Sequence, residues 1–357
     1  MNGKPAFPSL ADERRGDAIG ESGAPRTKLD VEPKLEEQGD LAMISAFTEV
    51  KGHKLHYVCD GEAGMPIFLI HGVPSASFRW RPVQELISPY LNTYAYDIIG
   101  MGKSDKPRAG WDYTFENDAH MMAELMDLWG HERMVICGDD WGGGIALTFA
   151  TLYPERTELL IAIDPVCLDI WPVPEIEAVG RAHFIEDDEE FLAAMSDLPA
   201  KMAQTLRTMI YKPWKLTALD QREYMEPYQT IDYAKGGSQI LGNNAYATLK
   251  LDGIRGLAAR AASMNTSWTI DLDYGRIAAP TMILWGARDI FLDPKARFRL
   301  KNEIVNAPVR VQLVEDAGHL PGVERPEFVA ESILDFVTEH RTLKALAQPY
   351  LGGLVDE

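Results

Sequence analysis

The sequence predicts an α/β architecture: a mostly parallel sheet covered on both faces by helices and interrupted by an inserted helical module. Three observations lead there. Short apolar runs bounded by turn residues recur along the chain, as strands do. Helix-patterned stretches separate several of them, and strands alternating with helices imply parallel pairing with both faces covered. From about Val166 to Ser267 the alternation stops, leaving Pro-broken helical segments dense in Met, Tyr and Trp.

The strands begin at FTEV, LHYVC and PIFLIHG and continue through YAYDIIG, MVICGDD, LLIAIDP, TMILWGA and VRVQLVED. ENDAHMMAELMDLWG reads as a helix because Met121, Met122, Leu125, Met126 and Leu128 fall broadly on one side. PEFVAESILDFVTEH makes an amphipathic closing helix. In the module, PEIEAVGRAHF, DDEEFLAAMSDL, AKMAQTLRTMIYKPW and NAYATLKL read as helical, with no convincing strand, and the insertion falls between the sixth and seventh main strands. Residues 1–42 are rich in Pro, Gly, Glu and Lys with little apolar period, so a flexible extension is expected there.

With 357 residues, 46% of them hydrophobic, the chain can bury a substantial core. Its formal charge of -19 would be repelled by nucleic acid and by anionic membrane surfaces, so neither is expected as a partner. Cys59, Cys137 and Cys167 are too few and scattered for a disulfide framework or a metal cluster, which fits a reducing compartment. MNGKPAFPSLADERRG lacks the apolar core of a secretory signal, and no stretch reaches the roughly 18 to 20 apolar residues of a membrane span. These features lead us to expect a cytoplasmic protein, monomeric or a homodimer.

The chemistry centres on GDDWGGG, residues 138–144, between an apolar strand and a helical run. A nucleophile elbow needs small residues two before and two after the nucleophile, because the strained turn brings neighbouring backbone close. Asp140 meets this with Gly138 and Gly142, whereas Asp139 would place Trp141 in a small-residue slot. A phosphate cradle is the rival reading of a Gly-rich helix start. Two carboxylates and no Lys argue against it.

An elbow nucleophile calls for an acid and a histidine further along the chain, in that order. His319, in VEDAGHLPGVERPE, is the histidine downstream of Asp140 that falls in a loop after a strand; His183 lies in the module and His340 in the last helix. For the acid, Asp289 in ILWGARDIFLDP is preferred, with Asp293 and Asp164 as rivals. Its carboxylate would hold the His319 tautomer. Oxyanion donors normally come from the amide after the nucleophile and from the loop after an earlier strand, here Trp141 and the Val73 of FLIHGVP. His71 reads as structural.

HGVP, DIIGMGKSDKP, GDDWGG, WGARD and AGHLPGVERPE, in this order and spacing, resemble the α/β-hydrolase fold over roughly residues 43–342. More narrowly they resemble its aspartate-nucleophile branch, the haloalkane dehalogenases and epoxide hydrolases. That resemblance implies a core of residues 43–165 and 268–345, a helical cap of 166–267 and a C-terminal tail of 346–357. It also implies attack by Asp140 on an sp3 carbon to form an alkyl ester, which water activated by His319 then hydrolyses. An unperturbed Asp, with a pKa of about 3.9, is ionised near neutrality without help. Neither metal nor organic cofactor is required, and the expected partner is a small apolar substrate.

The two families differ in how they stabilise the leaving group. Dehalogenases hold halide with the Trp after the nucleophile, here Trp141, plus an Asn after HG or a second Trp; Val73 stands at the Asn position, and Trp171, Trp214 and Trp268 are the candidate second indoles. Epoxide hydrolases use cap tyrosines, and the module holds Tyr211, Tyr224, Tyr228, Tyr233 and Tyr246. YMEPY is similar to a cap segment of this branch that faces the pocket, making Tyr228 the first candidate and Tyr224 the second. Asp139 departs from the His usual at its position. Epoxide opening to a diol is therefore the leading expectation, halide release the alternative, and non-catalytic ligand binding on the same fold a second alternative.

Overall fold

The computed structural model describes residues 43–61, 64–170, 174–231, 247–264 and 271–340. The expected extension 1–42 and tail 346–357 lie outside these residues, as do Trp171, Trp268, Tyr233 and Tyr246. The main sheet contains β1 (Ile44–Val50), β2 (His53–Asp60), β3 (Met65–Ile70), β4 (Leu91–Tyr96), β5 (Met134–Asp139) and β6 (Thr157–Ile163), then, after the insertion, β9 (Thr281–Gly286) and β10 (Val309–Val314). Their order across the sheet is β1-β2-β4-β3-β5-β6-β9-β10. Pairing is antiparallel at β1–β2 and β2–β4 and parallel from β4 to β10.

Strand alternation divides the core between the two faces of this sheet. Phe68, Ile136, Ile283 and Trp285 face a layer containing α2 (Phe115–Leu128) and α3 (Trp141–Leu152). Leu69, Cys137, Met282 and Leu284 face α1 (Arg81–Ile87) and the closing helix, with Val83, Ile333 and Phe336 opposite them. Central β5 is buried along its whole length, which explains why MVIC reads as a continuous apolar run rather than an alternating one. Thr114 caps α2 by accepting the Asn117 amide, and four of the five apolar residues singled out on that helix are buried. Leu128, at the C-terminal end, is 52% exposed.

Between β6 and β9 lie α4 (Pro174–Ala182), α5 (Asp188–Ala194), α6 (Leu198–Met209), α7 (Ala218–Met225), β7 (Gln229–Ile231), β8 (Ala247–Leu249) and α8 (Leu251–Met264). The β7–β8 pair corrects the expectation of a module without strands. Three residues per strand are too few to show a period, and part of NAYATLKL is strand rather than helix. Buried Arg260 of α8 pairs with buried Asp118 of α2 and donates to the Ile99 carbonyl at 2.9 Å, so this helix is fastened to the core. The chain continues through α9 (Ala296–Glu303), α10 (Pro321–Glu324) and α11 (Pro326–His340). Among the described residues no helix is long and apolar enough to cross a membrane.

Candidate active site

Asp140 stands where β5 turns into α3, with φ 53° and ψ -119°. A non-glycine residue in that conformation costs of order 1–3 kcal/mol and persists only where the surroundings over-determine it. Here they do. A Cβ on Gly142 would overlap the Ile70 carbonyl, and one on Gly138 would overlap the Gly142 carbonyl, so the packing that forces the turn also demands the two glycines. The Asp140 carbonyl is held by the amides of Gly144 at 3.1 Å and Val166 at 3.0 Å.

Three side chains distant in sequence converge here. Asp140 Oδ2 lies 3.1 Å from His319 Nε2, and Asp289 Oδ2 lies 2.8 Å from His319 Nδ1. Asp289 is in turn fixed by the loop after β9, its Oδ1 accepting the Phe291 and Leu292 amides at 2.7 and 3.0 Å. The Val73 amide donates to Asp140 Oδ1 at 2.7 Å. One oxygen of Asp140 therefore faces a backbone N–H donor and the other faces the imidazole.

Electrostatics follow from this burial. Desolvation alone would lower the His319 pKa, but the Asp289 and Asp140 carboxylates outweigh it and raise it well above the usual value. Asp164, after β6, lies with Asp289 and His319 in one buried cluster, and its Oδ1 accepts the Gly286 amide at 2.9 Å. Burial and the neighbouring Asp289 charge raise the Asp164 pKa well above the carboxylate range, favouring its protonated form. The other rival acid, Asp293, is exposed and accepts the Lys295 amide instead. His71 accepts the Ile98 amide at Nε2 and donates from Nδ1 to the Gly72 carbonyl, and burial lowers its pKa to about 4. It is neutral and structural.

Asp139 pairs with Arg79, both side chains being buried. Burial pushes the Asp139 carboxyl up to about 6 and the charge on Asp140 adds to the rise, while Arg79, His319 and the Gly72 amide oppose it. Nothing local marks Arg79 in the sequence, since the residue it neutralises is 60 positions away.

A cavity of about 450 Å³ opens at Asp140, lined by Val73, Trp141, Val179, Leu198, Met202, Met209, Leu257 and Phe291 among others. Such a volume suits a small ligand, and the walls are largely apolar. Helix α6 supplies one side, where Lys201, Thr205 and Thr208 add polar groups to the wall. Neither Tyr228 nor Tyr224 is among the lining residues. Tyr224 is carried on α7, which packs against the turn Ser77–Trp80, so its phenol feels Asp220, Arg79 and Asp139. Tyr228 is fully buried, and Arg260 and Asp97 act on its hydroxyl. Trp214 is 75% exposed and Tyr211 half exposed, and neither lines the cavity. The sequence reading missed the α6 wall because helix period identifies an apolar face without saying what it covers.

A family model described as the alpha/beta hydrolase fold matches residues 65–183, which include Val73, Asp139 and Asp140 but not Asp289 or His319. The soluble epoxide hydrolase of Corynebacterium sp. (strain C12) is 26% identical over 297 residues, spanning 80% of this chain and 94% of that protein. Epoxide hydrolase 3 of Xenopus tropicalis is 27% identical over 301 residues, spanning 81% of this chain and 76% of that protein. Among solved structures, the ligand-free epoxide hydrolase CorEH superposes with a TM-score of 0.66 at 22% identity, covering 84% of this chain and all of that one. With that likeness along most of its length, the chain is a hydrolase built on the α/β-hydrolase fold.

Proposed function

We propose that the chain opens an epoxide to a diol through an ester on Asp140. The observation that carries this reading is the division of labour at one carboxylate, with Val73 N–H on Oδ1 and His319 on Oδ2, beside a largely apolar cavity. Oδ2 attacks a ring carbon, the carbon–oxygen bond of the ring breaks, and the released oxygen takes up the proton that the His319 imidazolium gives up once the Asp140 charge is lost, leaving the imidazole neutral. His319 then removes a proton from water as that water attacks Cγ of Asp140. Negative charge develops on Oδ1, where the Val73 amide already points. Collapse breaks the bond between Cγ and the ester oxygen, which takes up the proton held by His319; the diol leaves, and the proton of the new acid passes to His319, restoring the Asp140 carboxylate and the imidazolium. The carboxylate on Asp289 holds the imidazole tautomer and stabilises its charge.

Two circumstances support the mechanism. The ester removes one of the two charges that raise the His319 pKa, so the ring gives up its proton more readily and is neutral, free to accept one from water, when the second step begins. The relatives at 24–27% identity include several named epoxide hydrolases. We take 166–267 as the cap that shapes the substrate pocket, through α4, α6 and α8. Trp141 lines the cavity and is the one observation that favours a haloalkane dehalogenase; exposed Trp214 and apolar Val73 at the Asn position weigh against it.

A parallel assay separates the two. Epoxides and bromoalkanes of matched chain length are incubated with the enzyme, and diol and bromide are measured. Diol from the epoxides, lost in Asp140→Ala, is the expected result; bromide release without diol would overturn the choice of substrate.

A further inference from the structure

The loop that carries His319 is tied to the cavity wall by a buried carboxylate that has no part in the chemistry above. Glu324 ends α10 and is fully buried. Its Oε1 accepts the Gly318 amide at 2.7 Å, and its Oε2 accepts the Lys212 amide at 2.7 Å. The Tyr211 amide also acts on it. One side chain thus joins the residue before His319 to the segment that leaves α6. Beside it the His319 amide donates to the carbonyl of Met209, the last residue of α6 and part of the cavity lining, at 2.7 Å. The approach is close enough that a Cβ on Gly318 would overlap the Met209 carbonyl.

We propose that Glu324 is a positioning residue that locks the His319 loop to the C-terminal end of α6, so that the imidazole and the substrate wall are held in one register. The inference rests on the reading of Asp140 as nucleophile and His319 as base. A carboxylate suits the task because in its ionised form it only accepts, and every neighbour named here donates an amide N–H, contacts that oppose the rise in its pKa caused by burial. Glutamine would present an NH2 to one of those donors and lose that contact. The consequence is specific to one half of the reaction: attack by Asp140 needs no base, whereas hydrolysis of the ester needs His319 aligned with water.

The test compares the parent, Glu324→Gln and His319→Gln with styrene oxide as probe, using rapid quench and intact-protein mass. In Glu324→Gln, ester formation is expected within about twofold of the parent and ester hydrolysis slower by about ten- to a hundredfold, the scale of a small misplacement, so that an ester adduct accumulates. His319→Gln should trap the same adduct. Equal slowing of both steps in Glu324→Gln, or no change in either, overturns the proposal. Should Glu324→Gln lack a cooperative melt, Glu324→Asp replaces it: it keeps the charge but falls short by one methylene, and the same split is expected. An adduct in His319→Gln with none in either Glu324 variant rejects the positioning role alone. Absence of an adduct in every variant rejects the nucleophile reading and the proposal with it.

Discussion

Arg79 and Asp139 form a buried ion pair one residue from the Asp140 carboxylate. The pair explains how two consecutive aspartates are tolerated in an apolar turn: the cation offsets part of the repulsion that Asp140 exerts on its neighbour. Breaking a buried pair by removing one partner typically costs about 3–5 kcal/mol, because the other charge is left uncompensated. Arg79→Met should lose stability on that scale in urea unfolding. A change below about 1 kcal/mol would show that solvent reaches the carboxylate and the pair is dispensable.

The same carboxyl makes stability depend on pH. Its folded pKa is raised from 3.8 to about 6, so its contribution favours the folded state most fully below the unfolded value and is lost as pH rises through about 6. Asn at 139 mimics the protonated form. Relative to the parent, Asp139→Asn should therefore gain stability progressively between pH 4 and 6 and hold a constant offset on either side, followed by thermal melts across that range. An offset that does not vary with pH would mean that Asp139 titrates normally.

Asp289 and Asp164 should respond differently to the same change. Asp289→Asn removes the charge that holds the His319 tautomer, and the analogous change in a serine-protease triad lowers kcat by about 10⁴; a fall of at least about 10³ is expected here. Asp164→Asn replaces a group whose protonated form is favoured with a neutral one of like shape, so kcat should stay within a few-fold. Comparable losses in both variants would make the two carboxylates equal partners of the histidine.

The elbow offers a steric prediction. Gly142→Ala would drive a methyl group into the Ile70 carbonyl, where little can move because β3 and α3 are buried. Loss of about 1–3 kcal/mol or more follows from overpacking of that kind, read as a lower melting temperature. An unchanged melt would show a looser turn than described.

Local rules sufficed wherever a short segment sets its own geometry. Gly138 and Gly142 mark the turn within five residues, and the loops after two strands carry Asp289 and His319. Arg79, Glu324 and the α6 wall were not legible, since each acquires meaning through a partner 60 or more positions away or through packing between helices. The tyrosines between β6 and β9 show the same limit. Tyr224 and Tyr228 carry suitable phenols, yet α7 turns one toward Arg79 and the other is buried near Arg260, a choice made by tertiary contacts rather than by residue type.

The central claim is covalent attack by Asp140, and a single turnover in heavy-oxygen water tests it most directly. Enzyme in excess over epoxide is quenched after one cycle, digested, and the peptide containing Asp140 weighed alongside the diol. The mechanism predicts one heavy oxygen in the Asp140 carboxylate and none in the diol, whose new oxygen comes from the enzyme. Heavy oxygen in the diol with an unlabelled Asp140 would contradict it, because water would then have attacked the ring directly.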